Sequence, residues 1–366
     1  MLIPFRLEDF FDKYEHRSGV INLASSDAQP WAVADLRKCG ISLADDEFTI
    51  GYPNVNSALI PGLKRLCNPP NGFGLLPTSG AAEAIALVMH ECAAASALGA
   101  EKRVVLPRPS FGAFHGLAEL LHLQVERYSY DPTQNWTPNH AELLTLSRRC
   151  GALIVINPHN PTGRVMPPDL LRTLAQELAA HGGTLIVDEV FRVADEGESA
   201  LGLMPNVIVI GSLSKTYGLP GLRLGWVGGT KDRLPRLRTI QQYLTLTLNT
   251  FTVKVGAAIL RDAQRFSRGD LVRANRRVLS EWADSHKDII LISPPEGGTT
   301  VCLAIATAVE EERLFERFLD QGVLLAPGVR CFEFSSDGRW FRLGYGLETQ
   351  KLRIGLDRLS AVFRDL

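Results

Sequence analysis

A single short segment, residues 212–225, combines the side chains best suited to covalent chemistry. It reads S-L-S-K-T-Y-G-L-P-G-L-R-L-G, so Lys215 stands among hydroxyl groups and Arg223 follows eight residues later. A lysine amine forms imines with aldehydes, while the hydroxyls of Ser212 and Ser214 and an arginine fork suit a phosphate. Taken alone, Lys215 would fit an ordinary surface loop equally well.

Other polar and aromatic side chains stand at turns that suit a ligand. Asp188 ends an apolar run, and Asn160 lies within the sequence N-P-H-N-P-T-G. Phe111 follows a Pro-Ser pair, and the small residues of 78–84 begin a helical pattern whose free N–H groups suit a phosphate. Each also has a simpler interpretation. Asp188 could cap a helix, Asn160 could belong to an ordinary proline-rich turn, Phe111 could be a core ring, and residues 78–84 could be an ordinary helix start.

These residues need a scaffold, and the apolar runs predict one. Short β-branched or aliphatic runs, typical of buried strands, occur at residues 103–107, 153–157, 184–188 and 207–211. The intervening segments place apolar side chains at helical spacing, as in residues 81–98 and 168–180. Alternating strands and helices predict a mostly parallel sheet covered on both faces. Because such sheets bind ligands where their strands end, we expect one site built from distant segments.

Two of these motifs are specific enough to carry a family resemblance. Residues 212–225 resemble the S-x-S-K-x-x-x-x-x-G-x-R-x-G signature of the fold-type I, class I/II aminotransferases, and residues 157–163 resemble their N-P-x-N-P-T-G motif. The resemblance implies pyridoxal 5'-phosphate (PLP) as cofactor. It also implies an α/β, aspartate-aminotransferase-like PLP fold, in which a large domain with a mostly parallel seven-stranded sheet joins a smaller α+β domain. A nicotinamide-binding Rossmann unit is disfavoured, because no strand is followed by G-x-G-x-x-G.

The resemblance also implies roles for individual residues around the cofactor. Lys215 becomes the Schiff-base lysine, and Asp188 keeps the pyridine nitrogen protonated so that the ring accepts electrons. Asn160 is expected to hydrogen-bond the ring hydroxyl oxygen. The remaining implied cofactor contacts are the phosphate ligands Ser212, Ser214, Arg223, Gly80, Ala81 and Ala82, the stacking ring Phe111, and Phe191 beside the ring.

One further motif concerns assembly. The sequence I-G-Y at residues 50–52 resembles the segment whose tyrosine, in this family, reaches a phosphate in the neighbouring subunit's site. Tyr52 therefore implies a homodimer with shared active sites.

The substrate is implied to be a small-molecule α-amino acid. The sequence W-F-R-L-G-Y at residues 340–345 resembles the family's C-terminal motif, whose arginine grips the substrate α-carboxylate as a bidentate pair. Arg342 inherits that role. Further substrate contacts are expected from Asn160, Ser26 and Asp27. Any guanidinium side chain on the substrate should meet a carboxylate or an aromatic face, with Asp27, Glu189 and Tyr243 as candidates.

Phe191 departs from the usual pattern, in which a tyrosine stands three residues after the aspartate. Loss of that hydroxyl should raise the basicity of the imine and alter the balance between proton shuttling and other fates of the carbanion, unless Phe191 is a neutral packing variant. Residues 218–223, 242–249, 7–10 and 24–27 are similar to the capreomycidine synthase group of arginine-processing PLP enzymes. The favoured hypothesis is elimination and cyclisation of a hydroxylated arginine, of the capreomycidine or enduracididine type, in specialised metabolism.

Several alternatives stay open or are disfavoured. Ordinary transamination to a keto acid is the close second hypothesis, and a decarboxylase or racemase on the same scaffold is not excluded. A ligand sensor in a transcription regulator is disfavoured, because the fold is expected to start within the first few tens of residues and basic residues are not clustered there.

Composition argues against several partners. Lys plus Arg number 39 against 40 Asp plus Glu, so no field would gather nucleic acid or an anionic membrane. The six cysteines form no C-x-x-C pair, which indicates reduced thiols, a cytoplasmic location and no metal site. No signal peptide is predicted, because acidic residues and a proline interrupt the first ten residues, and no membrane span is predicted, because no run of roughly 18 apolar residues occurs.

The predicted domain organisation has three segments. Residues 1–45 form an N-terminal arm and part of the small domain, residues 46–274 the PLP-binding large domain, and residues 275–366 the C-terminal small domain. No Gly/Ser linker marks these boundaries.

Overall fold

A computed structural model describes residues 3–41, 50–97, 102–193, 195–332 and 339–366. The strands within these ranges are β1 Ile21–Asn22, β2 Phe73–Thr78, β3 Arg103–Arg108, β4 Gln124–Asp131, β5 Thr137–Pro138, β6 Ala152–Ile156, β7 Thr184–Asp188, β8 Val207–Ser212, β9 Gly225–Thr230, β10 Ile290–Ile292, β11 Thr300–Ile305, β12 Val323–Leu324, β13 Ala326–Pro327 and β14 Trp340–Gly344. The helices are α1 Arg6–Tyr14, α2 Val33–Lys38, α3 Val55–Cys67, α4 Gly80–Ala97, α5 Ala113–Leu120, α6 His140–Ser147, α7 Pro168–Ala179, α8 Leu234–Leu244, α9 Thr250–Ile259, α10 Gly269–Asp284, α11 Glu311–Asp320, α12 Gly328–Phe332 and α13 Thr349–Phe363.

The large sheet has the strand order β2-β9-β8-β7-β6-β3-β4-β5. Strands β8, β7, β6, β3 and β4 are parallel neighbours, whereas β9 runs opposite to both β2 and β8. The predicted mostly parallel sheet of seven strands is confirmed, and the two-residue β5 adds an eighth at the edge. β5 ends in a proline, which cannot donate to a further neighbour.

The four runs predicted as strands correspond to β3, β6, β7 and β8. Every residue of β6, β7 and β8 is buried, as expected for central strands with helices on both faces. The predicted helices correspond to α4 and α7, and Pro168 lies in the first turn of α7. There its missing N–H costs nothing, because that N–H has no partner within the helix.

A smaller antiparallel sheet, β10-β11-β14-β13, lies in the C-terminal part of the chain. The N-terminal arm joins it, since β1 pairs in parallel with β12. Leu7 and Phe10 of α1 share an apolar core with residues of the small sheet such as Val301 and Phe341. The expected domain boundaries remain predictions, and the boundary at 45/46 lies outside the described residues.

Backbone hydrogen bonds continue past the strand ends and hold the following loops in register. The N–H of Asn157, after β6, donates to the carbonyl of Asp188, and the N–H of Glu189, after β7, donates to that of Ile210, each at 2.8 Å. The loops after β6 and β7 are thereby fixed at one edge of the sheet. None of the helices in the described ranges is long and apolar enough to cross a membrane.

Candidate active site

A cavity of about 500 Å³ opens at the carboxyl ends of the parallel strands. We call it the strand-end cavity. Its wall combines loops of the large sheet with the N-terminal arm and β14. The predicted site residues that line it are Ser26, Asp27, Ala81, Ala82, Phe111, Asn160, Asp188, Phe191, Ser214, Lys215, Arg223 and Arg342.

Three of the residues expected to bind the cofactor are not part of the wall. Gly80 and Ser212 lie directly behind it, next to Arg223 and Ser214 respectively. Tyr52 is 84% exposed on the surface of the single subunit. Apart from Tyr52, the structure therefore brings together the residues expected to bind the cofactor and the amino-acid portion of the substrate.

Lys215 meets an acid from the opposite side of the cavity. Its Nζ atom lies 2.9 Å from the Oδ1 atom of Asp27, and each side chain is about a quarter exposed. The N–H of Ala28 also donates to the carbonyl of Lys215 at 3.1 Å, so the N-terminal arm is bound to the lysine loop at two points. The centre of the Phe191 ring lies 6.0 Å from the same amine.

Asp188 ends β7 and is almost fully buried. Burial raises the pKa of Asp188 to about 7, although the Val190 N–H donates to its Oδ1 atom at 3.0 Å and Lys215 also lowers this pKa. The Oδ2 atom makes no hydrogen bond with a described residue. A cationic N–H donor from a ligand would supply the stabilisation that this carboxylate lacks.

The guanidinium of Arg223 lies where α4 begins, and the carboxylate of Glu83 in the first turn of this helix accepts a hydrogen bond from the Ser79 N–H. Gly80 has φ +76°, and a Cβ atom there would overlap the guanidinium of Arg223. A guanidinium beside a helix N-terminus brings like partial charges together, which is favourable when an anion lies between them. Ser212 Oγ donates to Ser214 Oγ at 2.8 Å and adds hydroxyl groups nearby. This donor set fits a phosphate.

Arg342 of β14 has no exposed surface. Its Nη1 donates to Asn160 Oδ1 at 3.1 Å, while Nε and Nη2 donate to the carbonyl of Ala24 at 3.2 and 2.6 Å. These bonds use three of the five N–H groups of a guanidinium, so two remain for a ligand in the cavity. Burial lowers the pKa of Arg342 to about 10, which still leaves the group charged at neutral pH.

The sequence profile described as "Aminotransferase class I and II" matches residues 71–359. The chain belongs to the class I and II aminotransferase family. The chain is accordingly a PLP-dependent enzyme with an aspartate-aminotransferase-like fold.

Among the proteins similar to this aminotransferase-family chain are two curated proteins and one solved structure. Capreomycidine synthase of Streptomyces vinaceus is 29% identical over 80% of this chain and 75% of the relative. Histidinol-phosphate aminotransferase 1 of Trichormus variabilis is 28% identical over 84% of this chain and 83% of the relative. The solved structure of the PLP-dependent cyclase OrfR is 27% identical and superposes with a TM-score of 0.81, covering 100% of this chain and 98% of the cyclase.

The cavity of this aminotransferase-family enzyme fits PLP on its own chemistry. The Lys215 amine matches the aldehyde of PLP, and the buried Asp188 carboxylate, which lacks a cationic partner, matches the ring nitrogen. The hydrogen-bond donors beside Gly80 match the phosphate. Phe111 lies at the cavity wall with its ring edge-on to Phe5, 5.2 Å between centres.

Of the three residues named as candidate contacts for a substrate guanidinium, one lines the cavity. Glu189 does not line the cavity, because Arg192, Ser199 and the N–H of Ala200 already bind its carboxylate. Tyr243 is 88% exposed and does not line the cavity either. Asp27 is the one of the three candidates that lies in the wall.

Sequence reasoning missed the residues contributed by α1. Glu8 and Phe11 of this helix, with Glu15 just after it, line the cavity. Their spacing places them along one side of a helix, and that pattern was available in the sequence. Nothing in the sequence shows that this side faces the cavity, since the placement depends on the packing of α1 against the small-sheet core.

Proposed function

We propose that this enzyme uses PLP to eliminate the hydroxyl group of a hydroxylated arginine and to close the guanidine group into a ring. The 2.9 Å contact between Lys215 and Asp27 carries the proposal, because elimination needs both a base for the α-proton and an acid for the leaving oxygen. The similarity to capreomycidine synthase and to the cyclase OrfR supports it further.

In this proposal the predicted residues hold PLP. Lys215 bonds covalently to its aldehyde carbon, Asp188 pairs with its ring nitrogen, and Phe111 covers one ring face. When bound, PLP supplies an electron-accepting ring that stabilises negative charge at the α-carbon of an amino acid. The proposed phosphate ligands are Ser212, Ser214, Arg223, Gly80, Ala81 and Ala82.

Arg342 is proposed to orient the substrate. Its two remaining N–H groups accept the α-carboxylate as a bidentate pair, and Asn160 fixes the plane of the guanidinium through the 3.1 Å hydrogen bond. The substrate amino group takes the place of Lys215 on the aldehyde carbon of PLP, and the freed Nζ atom of Lys215 then receives the α-proton. That proton passes to the adjacent Asp27 and on to the leaving oxygen, so that the substrate loses one molecule of water and no second substrate is needed.

The location and assembly of the enzyme are part of the proposal. All six cysteines are free thiols, which supports a cytosolic location.

We propose a homodimer in which Tyr52 reaches the partner's phosphate site. The Thr250 hydroxyl ties the backbone of the Tyr52 segment to α9 by a 2.7 Å bond to the Gly51 carbonyl. Large apolar side chains of this region are exposed on the single subunit, namely Ile50, Tyr52, Tyr243, Leu244, Leu246 and Phe251.

Ordinary transamination is the second candidate function. The similarity to histidinol-phosphate aminotransferase, which extends over most of both chains, favours it. It uses the same base and the same carboxylate anchor, but it requires a keto-acid acceptor to regenerate the cofactor. The requirement for an acceptor therefore separates the two functions.

The deciding experiment incubates the PLP-loaded enzyme with arginine, 3-hydroxyarginine or 4-hydroxyarginine, with and without a keto acid, and follows products by mass spectrometry. Loss of one water from a hydroxyarginine without an acceptor, with a ring demonstrated by NMR, is the expected result. A keto acid formed only when an acceptor is present would instead assign the enzyme as an aminotransferase.

A further inference from the structure

We infer that Glu8 of α1 recognises a cationic side chain on the substrate and so determines side-chain specificity. The inference deepens the proposed function, and it rests on that proposal for the placement of an α-amino acid in the strand-end cavity. It names a different residue from the three candidates that the sequence offered.

The position of Glu8 is fixed by the packing of α1. Leu7 and Phe10 are buried in the small-sheet core, and the Phe10 ring meets the Phe315 ring edge-on at 5.8 Å. Side chains three apart lie on one face of a helix, so Glu8 and Phe11 both face the cavity. The helix thus presents a carboxylate and an aromatic ring to whatever the cavity binds.

Glu8 is open to a ligand. Its carboxylate forms no hydrogen bond or ion pair with another described residue, and its side chain is exposed. The protein around the carboxylate still removes part of its hydration, which raises the pKa of Glu8, while the charges of Lys215 and Arg342 lower that pKa. Glu8 therefore lies within electrostatic range of both the proposed base and the proposed carboxylate anchor.

The two cations near Glu8 are committed to other groups. Lys215 is paired with Asp27, and Arg342 is bonded to Asn160 and to the backbone of Ala24. The two unused N–H groups of Arg342 can donate hydrogen bonds to an anionic group of a ligand in the same cavity. A ligand with a carboxylate at one end and a cation at the other would satisfy both Arg342 and Glu8.

A planar guanidinium suits this surface better than a compact ammonium. A carboxylate binds its edge through two parallel hydrogen bonds. The Phe11 ring, one turn along α1, also lines the cavity, and the guanidinium of Arg342 lies 5.8 Å from its centre. Asp27 is a weaker candidate because it is already ion-paired. Glu15 also lines an adjoining space of about 220 Å³ with Asn22 and Gln29.

The test measures binding rather than turnover. Calorimetry on the PLP-loaded enzyme would use α-methylarginine and its neutral isostere α-methylcitrulline, neither of which has an α-proton to lose. We expect the wild-type enzyme to prefer the arginine analogue by roughly tenfold or more. Glu8→Gln and Glu8→Ala should abolish most of this preference and leave citrulline-analogue binding unchanged, which also verifies the fold.

Asp9→Asn is the matched control, because Asp9 belongs to the same helix but does not line the cavity. It should leave both affinities as in the wild type. Equal affinities of the wild type for the two ligands, or a preference that survives in both Glu8 variants, would overturn the inference. A Glu8-dependent preference without water loss from hydroxyarginines would uphold it and reject only the proposed reaction.

Discussion

The amine of Lys215 and the carboxylate of Asp27 form an ion pair of 2.9 Å that joins the lysine loop to the N-terminal arm across the strand-end cavity. The two residues are 188 positions apart in the chain, so only the tertiary fold creates the pair. Because both side chains are partly exposed, the pair contributes little to stability. Its significance is chemical, since it places an acid beside the proposed base.

Asp27→Asn should slow water loss without preventing removal of the α-proton. The amide still hydrogen-bonds the amine, but it cannot carry a proton to a leaving oxygen. We expect a fall in elimination rate of about 10²-fold or more, as for loss of a general acid. Exchange of the α-hydrogen with deuterated solvent, followed by NMR, should continue.

Asp35→Asn is the control for that substitution, because Asp35 pairs with Lys38 on the exposed surface. Equal losses of exchange and elimination in the Asp27 variant would contradict the proposed acid role.

Lys215→Ala should prevent covalent attachment of the cofactor. Borohydride reduction of the PLP-loaded wild type should fix PLP to the protein and raise its intact mass, because only a lysine amine forms the reducible bond. The alanine variant should gain no such mass at this site, whereas Lys231→Ala, which changes an exposed lysine, should behave as the wild type. A peptide map with PLP on another lysine of the wild type would reject the assignment.

The central motifs were predictable because local sequence sets their geometry. The strand-to-loop segments carrying Asn160, Asp188 and Lys215 follow buried apolar strands, and adjacent parallel strands necessarily end at one edge. The contribution of α1 was not predictable, because it depends on how that helix packs on a core made by distant residues. For the same reason the sequence could not separate Asp27, which lines the cavity, from Glu189, whose partners turn it away from the cavity.

Asp188→Asn should stabilise the cofactor-free protein at neutral and higher pH. The carboxyl has a pKa of about 7 when folded, above its ordinary value, so the folded state binds more protons than the unfolded state between the two values. Ionisation of Asp188 therefore costs stability that is absent below the ordinary pKa and grows as pH rises toward 7. The gain from the asparagine is at most on the order of 4 kcal/mol.

Urea unfolding of the cofactor-free proteins at pH 5 and pH 8 measures this effect. The difference in unfolding free energy between variant and wild type should be larger at pH 8, and a pH-independent difference would contradict it. The same variant should bind PLP more weakly, because it loses the charge that pairs with the ring nitrogen.

Phe191→Tyr should shift the reaction toward transamination. The ring lies 6.0 Å from the Lys215 amine, so an added hydroxyl would lie close to the proposed cofactor position and provide the donor that ordinary aminotransferases have there. We expect the ratio of keto acid to water-loss product to rise, measured by mass spectrometry with an acceptor present. The pH at which the visible absorbance of the bound cofactor changes should fall. If neither quantity moves, Phe191 is a packing variant.

Gly80→Ala should weaken PLP binding more than it weakens the fold. Gly80 has a positive φ, and a methyl group there would displace the Arg223 guanidinium from the start of α4. The flexible arginine can move aside, so the stability cost should be limited to backbone strain of about 1 kcal/mol. The proposed phosphate site loses its aligned guanidinium, and PLP affinity should fall by roughly tenfold or more, measured by fluorescence titration.

Gly116→Ala is the control, because Gly116 lies inside α5 and a Cβ atom there meets nothing within 4 Å. This variant should keep wild-type affinity for PLP and gain stability. Unchanged PLP affinity in the Gly80 variant would place the phosphate elsewhere in the cavity.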